Sequence, residues 1–195
     1  MKNGIMAILA AVSLAAITGC DSQAEPNASL MLRYQVDAGR DRSWWLTRDG
    51  VLLHSAAQPK KFIPLPGWLW AADPHCPPDF TLGPNGEAVV TSNVVPTLWR
   101  IDPQTLAVTV HELQLDSDTG RDVGFAALGY SAEQAAFFAY SEHQRSVWRI
   151  DRQLARASKV SDVDFSPLRT ARTASVRGPC TELGQRLMQF AGIER

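Results

Sequence analysis

The chain lacks most of the marks by which a sequence announces its chemistry. Its 19 basic and 20 acidic side chains nearly cancel, so there is no net positive field to hold nucleic-acid phosphates, and no nucleic-acid partner is expected. Glycine and proline, 13 and 12 residues, stand near ordinary usage, which excludes a fibrous or broadly low-complexity polymer. The four histidines are scattered outside any hydrolase or zinc motif. Gly129-Tyr130-Ser131-Ala132-Glu133 lacks the second glycine of a nucleophile elbow, and no Ser-x-x-Lys occurs. His75 and Cys76 are adjacent rather than spaced as metal ligands, and Cys76-Pro77-Pro78-Asp79 is not a paired-cysteine motif. No catalytic residue, cofactor or metal is expected from these patterns. What remains is 195 residues, enough for one domain with a real core.

The first twenty residues read as an address. Lys2 precedes an apolar run, Ile5 to Ile17, that is too short to span a bilayer but has the size of a signal-peptide core. The run ends in Ile17-Thr18-Gly19-Cys20, which resembles the lipobox of bacterial lipoproteins. That resemblance implies a signal peptide over 1–19, cleavage before Cys20 and acyl chains such as palmitate on Cys20. Asp21 resembles the inner-membrane retention signal of enterobacterial lipoproteins, so the periplasmic side of the inner membrane is favoured over the outer membrane. Residues 20–29 are the lipidated cysteine and a small, polar, flexible tether. Extended, it reaches at most about 30 Å, which keeps the body near the bilayer. With Cys20 acylated, Cys76 and Cys180 are left in an oxidising compartment, where a disulfide between them is the natural inference; two buried free thiols are the alternative.

Residues 30–195 read as one β-rich domain. Short apolar or alternating segments recur at Leu30–Val36, Val51–His54, Trp68–Ala71, Ala88–Thr91, Leu106–Leu113, Val123–Leu128 and Ala135–Tyr140. Turn signals such as Arg48-Asp49-Gly50, Pro84-Asn85-Gly86 and Asp118-Thr119-Gly120 separate them. Two stretches look like copies, one leading to Trp99-Arg100-Ile101-Asp102 and the other to Trp148-Arg149-Ile150-Asp151. A fainter copy begins at Trp45. A period near 50 suits a unit of about four strands, with the aspartate closing an Asx-type turn. The pattern resembles β-propeller repeats of bacterial surface proteins, which implies an all-β antiparallel meander of about three propeller-like units. Three copies do not make a usual closed propeller. Either the N-terminal strand and residues 160–177 complete a fourth blade, or the repeats form a sandwich or another layered β fold. Leu183, Leu187, Phe190 and Ala191 recur at helical spacing behind Pro179, so a short amphipathic helix is expected over about 180–191.

Two groups of residues are candidates for binding. Trp44, Trp45, Trp68 and Trp70 supply aromatic surface for a partner, with the Trp- and Pro-rich stretch 67–78 as the place to look. Asp116, Asp118 and Asp122 could turn together on a calcium ion, although glycine falls one place early for an EF-hand and the twelfth position is Ala127. Charge is segregated, with ten acidic residues against two arginines over 73–142 and eight basic against three aspartates over 145–177. The expectation is a membrane-anchored, non-catalytic binding or scaffold module that engages another envelope protein. An immunity lipoprotein that neutralises a periplasmic toxin, a glycan-binding protein and an envelope hydrolase are the alternatives.

Overall fold

The computed structural model describes residues 31–72, 76–118, 122–162, 165 and 179–193. The leader, Cys20 and the tether lie outside the described residues. Three antiparallel four-stranded units follow one another along the chain. The first contains β1 (Met31–Asp37), β2 (Arg42–Thr47), β3 (Gly50–Ser55) and β4 (Gln58–Pro64). The second contains β5 (Phe80–Leu82), β6 (Ala88–Thr91), β7 (Thr97–Ile101) and β8 (Val108–Glu112). After β9 (Gln114–Leu115), the third contains β10 (Ala127–Ser131), β11 (Ala136–Ser141), β12 (Ser146–Ile150) and β13 (Arg156–Asp162), with β9 added parallel to its outer strand. The first strands adjoin, β1 against β5 and β5 against β10. The sheets therefore stack face to face as successive propeller-like blades.

The cores lie between the blades. Trp44, Leu46, Val51, Leu53 and Ile63 of the first sheet pack on Phe80, Val90, Trp99 and Ile101 of the second. The opposite face of the second sheet, through Val89 and Leu98, meets Leu128, Phe137, Trp148 and Ile150 of the third. The helix α1 (Pro179–Ala191) closes the far face of the third sheet by setting Leu183, Leu187 and Ala191 on Ala127, Phe138, Tyr140 and Val147. An amphipathic helix thus stands where the next sheet of a longer stack would stand.

The repeat has a physical basis. Trp99 and Trp148 both lie on third strands, both are buried, and each faces the preceding sheet. Asp102 Oδ1 accepts the amides of Gln104 (2.9 Å) and Thr105 (2.7 Å). Asp151 Oδ1 and Oδ2 accept the amides of Ala155 and Arg156. Each aspartate therefore closes the turn after its strand. The fainter copy is out of phase, because Trp45 lies on a second strand rather than a third.

Other expectations are corrected. The N-terminal strand belongs to the first sheet and completes no fourth blade, and residues 160–162 end β13. Of the rest of 160–177, only Phe165 is described. Trp68–Ala71 is a loop, fixed by side chains distant in sequence rather than by a strand partner. The strand expected over Val123–Leu128 begins only at Ala127, because Gly124 and Phe125 lie against the backbone of Ser92 and Asn93.

One carboxylate joins all three blades. Asp79, just ahead of β5, is buried. Its Oδ1 takes the Phe80 amide at 2.9 Å and lies 3.3 Å from Arg33 Nε on β1. Its Oδ2 accepts the Leu128 amide on β10 at 3.1 Å. A charged acceptor makes such bonds stronger than neutral ones, and its position ties the innermost strands together.

Candidate functional site

The turns between second and third strands of the three sheets gather at one end of the stack, and residues 65–72 and 76–79 are laid across them. Trp68 donates its Nε1 to Thr91 O (2.9 Å), and Trp70 donates its Nε1 to Arg48 O (3.1 Å) in the β2–β3 turn. The two rings lie 5.9 Å apart, tilted by 31°. Between them Leu69 is 61% exposed, while its carbonyl accepts Ser92 Oγ at 2.6 Å. Asn93 exchanges both amide bonds with Ala71 (2.8 and 2.6 Å) and also donates to Cys76 O (2.9 Å). Fixing both sides of Leu69 presents it as an apolar knob whose ordering cost is met before binding.

Cys76 closes the loop. It is bonded to Cys180 in the first turn of α1, with Cα atoms 5.4 Å apart. Its amide donates to Glu142 Oε2 at 2.8 Å. A cleft of about 180 Å³ opens beside it, lined by Asn93, Val94, Asp122, Gly124, Ala126, Glu142 and His143. Two carboxylates and an imidazole thus share one cleft. They can accept hydrogen bonds from hydroxyl or ammonium groups of a partner, or move a proton.

Gly124 makes this arrangement possible. A Cβ there would fall 2.0 Å from Asn93 C and 2.2 Å from Val94 N, so only glycine lets the two loops touch. Nothing in the spacing of the sequence marked this approach. The convergence of Asp122, Glu142 and His143 was missed for the same reason, since it needs the β9–β10 connection and the β11–β12 turn to meet.

The predicted tryptophans divide. Trp68 and Trp70 belong to the loop that carries Leu69 and are half-buried. Trp44 is fully buried under the Arg42 guanidinium, 4.9 Å from its ring, and forms no surface. Adjacent strand residues face opposite ways, so Trp45 points to the other side, edge-on to Tyr34 at 5.5 Å. It lies on the far face of the first sheet, away from the loop.

The acidic stretch divides too. Asp116 Oδ1 accepts the Lys159 amide at 3.0 Å, and this bond, above all, holds its carboxyl below the usual range. Asp118 Oδ2 pairs with Lys159 Nζ at 2.9 Å. Bonds to Asp162 and then Asp118 raise the lysine's pKa. An internal ammonium, Lys159 Nζ, stands between Asp118 and Asp162, while Asp122 lines the cleft. No group of three potential metal ligands occurs among the described residues.

No family model matches the chain, and no curated protein does. Similar solved structures include catalytically inactive H270A virginiamycin B lyase from Staphylococcus aureus with quinupristin. It is 15% identical, with a TM-score of 0.54, over 73% of this chain and 44% of that one. A streptogramin B lyase is also 15% identical, with a TM-score of 0.50, over 69% of this chain and 41% of that one. The chain thus spans less than half the length of these structures. At such identity the likeness is one of fold, which is propeller-like in both.

Proposed function

We propose that the protein is a lipid-anchored, periplasmic binding or scaffold module, held at the inner membrane through Cys20, whose loop at residues 65–72 docks another envelope protein. The observation that carries this reading is the exposure of Leu69 on a loop otherwise tied down by Trp68, Trp70, Ser92, Asn93 and a disulfide. An apolar side chain on a rigid support beside acceptor groups has the make-up of an interface hot spot. The solved neighbours are lyases, but the likeness to them extends only to the fold. An immunity protein would use the same surface against a toxin, so the partner's identity decides between that role and a place in an assembly.

The test is site-specific photo-crosslinking in native membranes from position 69, with exposed position 132 in the β10–β11 turn as control. One dominant partner, captured at 69 alone and lost in Trp70→Ala, is the expected result. Equal capture at both positions, or none, refutes docking through this loop. A second reading, an envelope hydrolase, is favoured by the meeting of Asp122, Glu142 and His143 in one cleft. Among the described residues no hydroxyl or thiol lines that cleft, so the carboxylates or imidazole would have to activate water. A hydrolytic activity abolished by His143→Ala, with partner capture unchanged, would replace the first reading with this one.

A further inference from the structure

Three sheets stacked in line have six faces. Four are buried between sheets, and α1 covers a fifth. The sixth is the far face of the first sheet, which carries Met31, Tyr34, Val36 and Phe62; at its inner edge Tyr34 and Val36 border a groove shared with Leu82, Tyr130 and Met188. The four side chains on the face are between 43 and 56% exposed. Register places them on one side with half-buried Trp45: Tyr34 pairs with Trp45, Val36 with Ser43, and Phe62 with Leu52. The outer edge strand β4 carries Pro59, Lys60, Lys61 and Pro64, which discourages strand addition at the edge. An occupant would therefore meet the face.

From the position and chemistry of this face we infer that it rests on the anionic surface of the bilayer that holds the anchor, an inference built on the lipid-anchored reading above. Two observations choose the occupant. The tether from Cys20 runs into β1 at Met31, itself part of the exposed face, so the anchor holds this sheet within about 40 Å of the membrane. Lys60 shares the side of Phe62 on β4, and the strand residues on this face include no carboxylate. Two copies joined through this face would bring their Lys60 side chains together, whereas anionic lipid is complementary to them. Aromatic and aliphatic side chains edged by lysine suit the headgroup boundary. Docked in this way, the module has a fixed orientation rather than swinging on its tether.

The test uses the full-length protein, purified from its membranes, with acylation of Cys20 read by intact mass. It is reconstituted into vesicles with brominated acyl chains, with or without phosphatidylglycerol. The expected result is quenching of tryptophan emission that needs phosphatidylglycerol and disappears in Trp45→Phe. A basic residue near an anionic surface is worth about fivefold in the docking equilibrium, so Lys60→Glu should lower it at least about fivefold. Phe62→Asp should abolish quenching; both altered sites are exposed, and unchanged melting in detergent verifies folding. Acylated protein whose Trp45 is not quenched overturns the docking and leaves the anchor standing. A face buried in a crosslinked dimer or under a partner protein overturns it too. Unmodified Cys20 overturns the anchored reading and the inference with it.

Discussion

Asp79→Ala is the most exacting test of the fold described above. The substitution removes the acceptor for the Phe80 and Leu128 amides and the partner of Arg33. The site is enclosed: the aspartate side chain is 11% exposed and that of Arg33 is 22% exposed. Breaking one side of a buried ion pair costs about 3–5 kcal/mol, because the remaining charge and donors stay desolvated. Asp79→Asn keeps one acceptor oxygen and should lose less, about 1.5–3 kcal/mol. Urea unfolding at neutral pH measures both, and a cycle with Arg33→Met should give a coupling of about 1–3 kcal/mol. Hydrogen exchange adds a local readout, since the Leu128 amide on β10 should lose protection along with Phe80. A loss below about 1 kcal/mol for Asp79→Ala would refute the claim that this carboxylate ties the three inner strands, because an unpaired buried charge cannot cost so little.

Three further outcomes are expected. Cys180→Ser opens a link between residues 104 apart in sequence; at this loop length the chain-entropy account gives about 4–5 kcal/mol, and a denaturation midpoint unmoved by reductant would contradict it. Gly124→Ala forces the β6–β7 loop away from the cleft and should cost about 1–3 kcal/mol in a thermal melt, with Trp68 and Trp70 emission shifting as their supports move. The amides of Thr105 and Gln104, with the Thr105 hydroxyl, hold the Asp102 carboxyl below its usual range. Its contribution is therefore complete above the unfolded carboxylate value near pH 4 and is lost as pH falls through the lower folded value. Asp102→Asn should flatten that acid limb in stability measured against pH, and an unchanged limb would remove the role given to this turn.

Much of the architecture was legible because it depends on local pattern. Alternation marked the strands, and the Trp-x-Ile-Asp stretches marked the third strands of two sheets, where a buried tryptophan and a turn-closing aspartate are set by near neighbours. Cys76 and Cys180 were legible by arithmetic. The misreadings share a cause in long-range contact. Trp68–Ala71 has the composition of a strand, but its hydrogen bonds go to Thr91, Arg48 and Asn93, more than twenty residues away. Of two adjacent tryptophans, one had to face inward, and only the presence of the second sheet made it Trp44. Asp79, Gly124 and the Asp122–Glu142–His143 cleft depend on separate segments meeting, and no spacing within one segment records that.

The clasp between Cys76 and Cys180 also bears on the order of assembly. One cysteine precedes the second sheet, and its mate opens the last helix. A chain made from its N-terminus can stack its blades early, but the cap cannot be fastened until Cys180 has been made. Until then the third sheet shows an apolar face to solvent, and an unpaired thiol waits beside the loop that carries Leu69. The clasp then fastens Cys76 to the cap, while Trp68, Trp70, Ser92 and Asn93 hold the rest of the loop, so a chain stopped before Cys180 would lose the clasp and the cap together.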